Sequence, residues 1–217
     1  MKTIQKILML GSLLLLTLPL DARKIREQSW EILFTPQFIS GKSFSFSKGT
    51  KIDFNDRSGW SFGLGYSFTE HLTLDLNFAS SSSNYTATII NDKDQTEELS
   101  ASLYSSSITA DMSYNLLNQA LTPYINGHLG SSFIDTGIWN GEIYSGCWFH
   151  PYWGYICSPV AGTHTRTEFA YGGGLGLRYD AHNRLLIKAG IDTQVISLES
   201  KEFPYVMVYY ISFGATF

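Results

Sequence analysis

From Ser58 to Phe68 the chain alternates with a period of two. Trp60, Phe62, Leu64, Tyr66 and Phe68 are large and apolar, and Ser61, Gly63, Gly65 and Ser67 between them are tiny. Successive side chains of a strand point to opposite faces, so this run makes a ribbon with one greasy face and one nearly bare face. After Thr69-Glu70-His71 the pattern resumes. Leu72, Leu74, Leu76 and Phe78 lie on one face, and Thr73, Asp75 and Asn77 on the other. Two such runs joined by a short turn read as a β-hairpin.

The same period recurs along the chain. Trp30, Ile32, Phe34 and Phe38 oppose Glu31, Thr35 and Gln37, with Pro36 as a local irregularity. Ile108, Ala110, Met112 and Tyr114 oppose Thr109, Asp111 and Ser113. A less regular run, Thr122 to Phe133, puts Ile125, Leu129 and Phe133 on the apolar face and Asn126, His128 and Ser132 opposite. Phe169, Tyr171, Leu175, Leu177 and Tyr179 oppose Glu168, Gly172, Gly174, Gly176 and Arg178, and Leu185 to Val195 interleaves with Lys188, Gly190, Asp192 and Gln194. The last run carries Tyr205, Met207, Tyr209, Ile211, Phe213, Ala215 and Phe217 on one face. The fold class expected is all-β, about eight antiparallel strands. Its links alternate between short ones, near Thr69, Leu116 and Asp180, and long ones at Ser40 to Arg57, Ser80 to Glu98 and Asp135 to Thr165.

Side-chain size decides which face meets what. A soluble eight-stranded barrel needs bulk inside and charge outside. Here the polar face is mostly Gly, Ser and Thr, and only 16% of the chain is charged against 15% aromatic. Inverted, the pattern fits a transmembrane up-and-down β-barrel, with aromatics and leucines toward lipid and small polar groups in a narrow lumen. The near-zero mean hydropathy, -0.04, follows from alternation, which dilutes the apolar signal. Short turns on one side and long links on the other match a bacterial outer-membrane barrel whose long links face outward.

The N-terminus reads as a targeting segment. Lys2 and Lys6 precede an apolar stretch from Ile7 to Leu20, and Asp21-Ala22 offers a cut site before Arg23-Lys24. The expected division is a signal peptide over 1–22 and a barrel domain over 23–217. Removing 1–22 takes away Lys2, Lys6 and Asp21, so a net charge of -4 becomes -5. Such a mildly acidic product carries no electrostatic footprint for nucleic acid. Cys147 and Cys157, an even count in an exported chain, are expected to form a disulfide, two free thiols being the alternative. Nothing about their spacing suggests a metal site.

The lumen face collects Glu31, Asp75, Asp111, Glu168, Arg178, Lys188 and Asp192. Charges in a narrow barrel are costly unless paired, so Arg178 and Lys188 are expected to bridge neighbouring carboxylates. The sharper alternative is a relay through the lumen, but eight strands leave an interior just filled by side chains. Trp30, Trp60, Tyr66, Tyr114 and Tyr179 suit interfacial girdles or serve as ordinary strand aromatics.

The alternating strands, the run TPYINGHLG from Thr122 to Gly130 and the final Phe217 together resemble small outer-membrane barrels of the OmpW and OmpA type. The resemblance spans essentially the whole mature chain and specifies architecture rather than activity. It implies that Tyr209, Ile211, Phe213 and Phe217 are the signal read by the barrel assembly machinery. It further implies periplasmic chaperones during export and contact with membrane lipids and lipopolysaccharide in a Gram-negative envelope.

The most individual segment is CWFHPYWGYIC, Cys147 to Cys157, between the fifth and sixth barrel strands. A disulfide there contributes roughly 2–3 kcal/mol in the loop-entropy account. It would gather Trp148, Phe149, Tyr152, Trp153 and Tyr155. The plainer reading folds this loop over the barrel mouth, and the functional one exposes it to an extracellular ligand.

Catalysis finds little footing. His71 and His182 fall in short turns, and His150 and His164 in the long loop. His128 and Ser132 share a face, but four residues along a strand is roughly 13 Å, too far for a nucleophile and its base. Gly172 to Gly176 lies inside a strand with no helix after it, so it reads as packing rather than phosphate binding. No cofactor and no metal are expected. The functional expectation is a structural or surface-interaction barrel. A narrow channel for small or apolar solutes is the alternative, and a lipid-modifying enzyme the third reading.

Overall fold

The computed structural model describes residues 26–45, 51–90, 96–150, 154–181, 184–196 and 205–217. The expected signal peptide, His182, Tyr152 and Trp153 lie outside them. Among the described residues ten strands follow in order: β1 (Ser29–Ile39), β2 (Lys42–Ser45), β3 (Lys51–Phe54), β4 (Arg57–Ser67), β5 (Leu72–Ile90), β6 (Thr96–Asn115), β7 (Leu121–His150), β8 (Gly154–Asp180), β9 (Leu185–Ile196) and β10 (Tyr205–Thr216). Eight of them close a ring in the order β1-β4-β5-β6-β7-β8-β9-β10, with β10 returning to β1, and every pairing is antiparallel. Closure leaves no unpaired backbone edge where lipid offers no hydrogen bonds. The seam sets Phe34 opposite Phe213, and Trp30 and Phe217 exchange two backbone hydrogen bonds of 3.0 Å.

The alternation read from the sequence maps onto the two faces of this ring. Along β1, Ser29, Glu31, Leu33 and Thr35 are buried inside while Trp30, Ile32, Phe34 and Phe38 are exposed outside. Along β10, Tyr209, Ile211 and Phe213 face out and Ser212 and Thr216 face in. Ring pairs bind the outer face together, with Trp30 against Tyr66 at 5.1 Å and Trp60 against Phe78 at 5.8 Å.

The long links differ from expectation. Ser80 to Glu98 and Asp135 to Thr165 are mostly strand, carried on as β5–β6 pairing up to Ile90 opposite Thr96 and β7–β8 pairing up to His150 opposite Gly154. Ser40 to Arg57 holds the β2–β3 hairpin, and β3 docks on β5 beyond the end of β4, from Phe54 opposite Tyr85 to Lys51 opposite Thr88. The polar reading of these segments came from a change of phase. Within the membrane β5 turns Leu74, Leu76 and Phe78 outward, but past Ser80 it turns Ser82 and Asn84 outward and buries Tyr85 and Ala87. Tyr85, Ala87 and Leu103 form a small apolar core with Ile52, Phe54, Ala101, Ile134 and Ile138 packed on it. Outside the bilayer the solvent beyond the wall is water, so apolar side chains gain by turning inward.

β6 leaves β7 at Tyr104 opposite Asp135, and β9 leaves β8 at Ile196 opposite Ala170. Past Ile138, which still packs on the Tyr85 core, the β7–β8 pair runs on as a two-stranded arm. Register shifts flank Trp139, and Gly137 (φ 65°) and Gly141 (φ 87°) supply the left-handed backbone there. The twelve residues from 139 to 150 reach at most about 40 Å.

Candidate functional site

The site is the lumen. Its inward glycines are places where a neighbour's polar side chain lies flat against the wall. A Cβ on Gly65 would collide with Asp75 Oδ1, and one on Gly63 with Asn77 Oδ1. Cβ atoms on Gly176 and Gly190 would stand 2.7 Å from the hydroxyls of Tyr124 and Tyr210. The bare face of β4 and the glycine run of β8 thus buy room for bulk on the strands beside them.

At the end of the barrel with the short turns, the lumen is filled by a continuous ion-pair network. Arg178 Nη1 lies 2.9 Å from Glu31 Oε1, and Lys188 Nζ lies 3.0 Å from Glu31 Oε2 and 3.5 Å from Asp75 Oδ2. Arg178 Nη2 also meets Asp180 Oδ1 at 3.0 Å. Ser67 donates to Glu31 at 2.7 Å. Arg26, which precedes β1, completes the closure. Its Nη2 stands 2.5 Å from Asp180 Oδ2, and it donates to the carbonyls of Leu117 and Gln119 at 3.2 and 2.7 Å. Its Nη1 also donates to the carbonyl of Glu70 at 3.4 Å, so one guanidinium ties two of the short turns to the ring. Glu31, Asp75, Arg178, Lys188, Arg26 and Asp180 are all buried, so each charge depends on the others for compensation.

Beyond this plug lies a cavity of about 110 Å³, lined by Asp75, Asn77, Asp111, Asn126, His128, Lys188, Asp192 and hydroxyl residues. Tyr124 and Tyr210 share a 2.6 Å hydrogen bond across the lumen at its edge. Asn77 donates to Asp111 at 2.8 Å, Asn126 donates to Asp192 at 2.9 Å, and His128 Nδ1 stands 3.3 Å from Asp192.

Of the seven charges assigned to the lumen from sequence, Glu31, Asp75, Arg178 and Lys188 come together in the plug. Asp111 and Asp192 sit beside the cavity, held by amides and His128 rather than by Arg178 or Lys188. Glu168 stands apart, its partner being Arg166 at 3.8 Å. Sequence reasoning missed Arg26 and Asp180, because both fall at strand ends, where polarity is ordinary. It also missed Tyr124, which sits in the irregular start of the Thr122 run. Cys147 and Cys157 lie directly opposite one another in the arm, as do Phe149 and Tyr155, and Trp148 faces Ile156 in register. The segment expected as a loop is thus hairpin strand over 147–150 and 154–157. Tyr209, Ile211, Phe213 and Phe217 all lie on the exposed outer wall. His71 stacks on Tyr114 at 5.4 Å and bonds the carbonyl of Asn115 at 2.6 Å. Among the described residues no three His, Cys, Asp or Glu side chains converge as a metal centre.

The profile of the outer membrane protein beta-barrel domain family matches residues 37–217. None of the curated proteins matches the chain. Among solved structures it is similar to Neisserial surface protein A (NspA), at 11% identity and a TM-score of 0.54, covering 87% of this chain and 97% of that one. It is likewise similar to the outer membrane protein OprG from Pseudomonas aeruginosa, at 13% identity and a TM-score of 0.53, covering 88% and 97%. At such identities the likeness shows a shared fold. With its ring of eight strands closed and its profile matched from 37 to the last residue, the chain belongs to the outer membrane protein beta-barrel domain family.

Proposed function

We propose that this chain is a sealed outer-membrane barrel that acts at the cell surface through the extended ends of its strands, without catalysis and without conducting solutes. The observation that carries the reading is the plug. A solute crossing the barrel must part Arg178 from Glu31 and Lys188 from both Glu31 and Asp75, leaving buried charges uncompensated. The long side of the barrel supports the surface role, because β7 and β8 continue there as an arm.

A two-stranded ribbon alone in water is only marginally stable. Residues directly opposite in an antiparallel pair have Cα atoms about 4.5–5.5 Å apart, inside the span a disulfide bridges. The register of Cys147 opposite Cys157 therefore supports a covalent staple near the arm's tip. The aromatic residues Trp148, Phe149, Tyr152, Trp153 and Tyr155 would then form the contacting end. Lipopolysaccharide surrounds the base of the extension in this reading, and the assembly machinery and periplasmic chaperones deliver the chain through its last strand. The reading without catalysis is supported by spacing, since His128 and Ser132 stand four residues apart along β7, roughly 13 Å, too far for a base and its nucleophile.

Reconstitution in planar bilayers tests the sealed lumen, with no discrete conductance steps expected. Regular steps would replace this reading with the channel. Cells displaying the full chain, compared with cells whose chain lacks residues 139–161, test the surface role by retention on arrays of glycans and matrix proteins. Equal retention on every spot would overturn it.

A further inference from the structure

The cavity above the plug is short of positive charge. Asp75, Asp111 and Asp192 line it, against the single ammonium of Lys188, which Glu31 already shares. Across the plug and cavity together, five carboxylates (Glu31, Asp75, Asp111, Asp180, Asp192) face three permanent cations (Arg26, Arg178, Lys188) and one imidazole, His128, 3.3 Å from Asp192, so negative charge is in excess. Arg57, the next cation along the wall, does not line the cavity. The strand register sharpens the problem, because it sets Asp75 directly opposite Asp111. Like charges in that relation repel, and do so more strongly in a lumen poor in water.

The hydrogen-bond inventory points the same way independently. Asp75 Oδ1, Asp111 Oδ1, Asn126 Oδ1 and Asp192 Oδ1 are buried and have no donor. Asp75 and Asp192 are themselves only 4% and 9% exposed. Among the described residues, no buried donor lining the cavity lacks a partner. The shortage is of donors and positive charge alone, and buried acceptors left in this state are costly.

We infer that this cavity binds one divalent hard cation, taken up through the carboxylate oxygens of Asp111 and Asp192 and the amide oxygen of Asn126. An all-oxygen donor set suits calcium or magnesium and not a thiolate- or imidazole-seeking metal. No three carboxylates converge, so the ion keeps part of its water shell, for which the cavity of about 110 Å³ has space. The ion neutralises the middle of the lumen just beyond the plug, and the inference stands apart from whatever the arm contacts at the surface.

Terbium serves as the probe, because Tyr124 and Tyr210 line the same cavity and can sensitise its emission. The full chain, folded into phosphatidylcholine vesicles, is titrated with terbium and then with calcium. Saturable emission displaced by calcium is expected, with affinity at least about tenfold weaker in D192N and lost in D111N/D192N. Emission unchanged in the double variant, or none that saturates in the parent, overturns the proposal. Folding of each variant is checked by heat-modified gel migration. A second measurement is urea unfolding in a chelator. There the double variant, relieved of its surplus charge, is expected to unfold at higher urea than the parent. An equal or lower midpoint means the lumen is balanced without an ion, which also overturns it.

Discussion

Arg178 and Glu31 lie 147 positions apart and meet at 2.9 Å in the middle of the plug, each almost wholly buried. Neither strand pairs with the other, since β1 joins β4 and β10 while β8 joins β7 and β9. The contact crosses the lumen and exists only once the ring has closed.

Glu31→Ala leaves Arg178 and Lys188 facing each other with one carboxylate fewer between them. Removing one partner from a buried pair costs about 3–5 kcal/mol. Urea unfolding in lipid vesicles is expected to show a midpoint well below that of the parent, by that margin in free energy.

Glycines on the two faces of the wall are not equivalent, Gly65 being buried in the lumen and Gly127 exposed on the outer face beside Ile125 and Leu129. Gly65→Ala drives a Cβ into Asp75 Oδ1 and disturbs the Asp75–Lys188 contact, whereas a Cβ at Gly127 meets nothing nearer than 3.8 Å. Overpacking of this kind costs about 1–3 kcal/mol. The first substitution is expected to lower the unfolding midpoint and the second to leave it within experimental scatter.

The change of phase along β5 marks where the bilayer ends. Leu76 is 58% exposed on the outer wall, and Asn84 faces out farther up the same strand. Leu76→Arg is expected to destabilise the barrel by about 2–4 kcal/mol and Asn84→Arg by under about 1 kcal/mol. Equal effects at the two positions would place Ser80 to Thr88 inside the membrane.

Phe217 is exposed on the outer wall while its backbone pairs with Trp30 at the seam. Phe217→Ser keeps those backbone bonds. Cells are expected to assemble several-fold less heat-modifiable barrel from this variant, while the same chain folds normally into vesicles without the assembly machinery. A matching defect in vesicles would assign the ring to stability instead.

Alkylation of the non-reduced chain checks the arm. With Cys147 and Cys157 linked, a maleimide label is expected only after reduction. Label taken up without reductant would show two free thiols.

Much of the barrel was legible in the residues. Runs such as Trp60 to Phe78 keep one phase, and lipid outside with a narrow lumen inside lets large and tiny residues name their faces strand by strand. The same logic failed beyond the membrane. Ser80 to Glu98 looked like loop because its outward positions are polar and its inward ones, Tyr85 and Ala87, carry the opposite phase, which is intelligible only once the bilayer's edge is located.

Period, size and end signals are local quantities, so the sequence by itself determined the strands, which face meets lipid, and that charges would gather inside. Which charges meet is a matter of ring closure and of register around eight strands. Only the tertiary structure decided that Glu31 takes both Arg178 and Lys188, that Arg26 from outside the strands ties the short turns together, and that Asp111 and Asp192 remain beside a cavity without a cation of their own. Those outcomes depend on strands brought into apposition across a lumen, a distance along the chain over which no periodicity carries information.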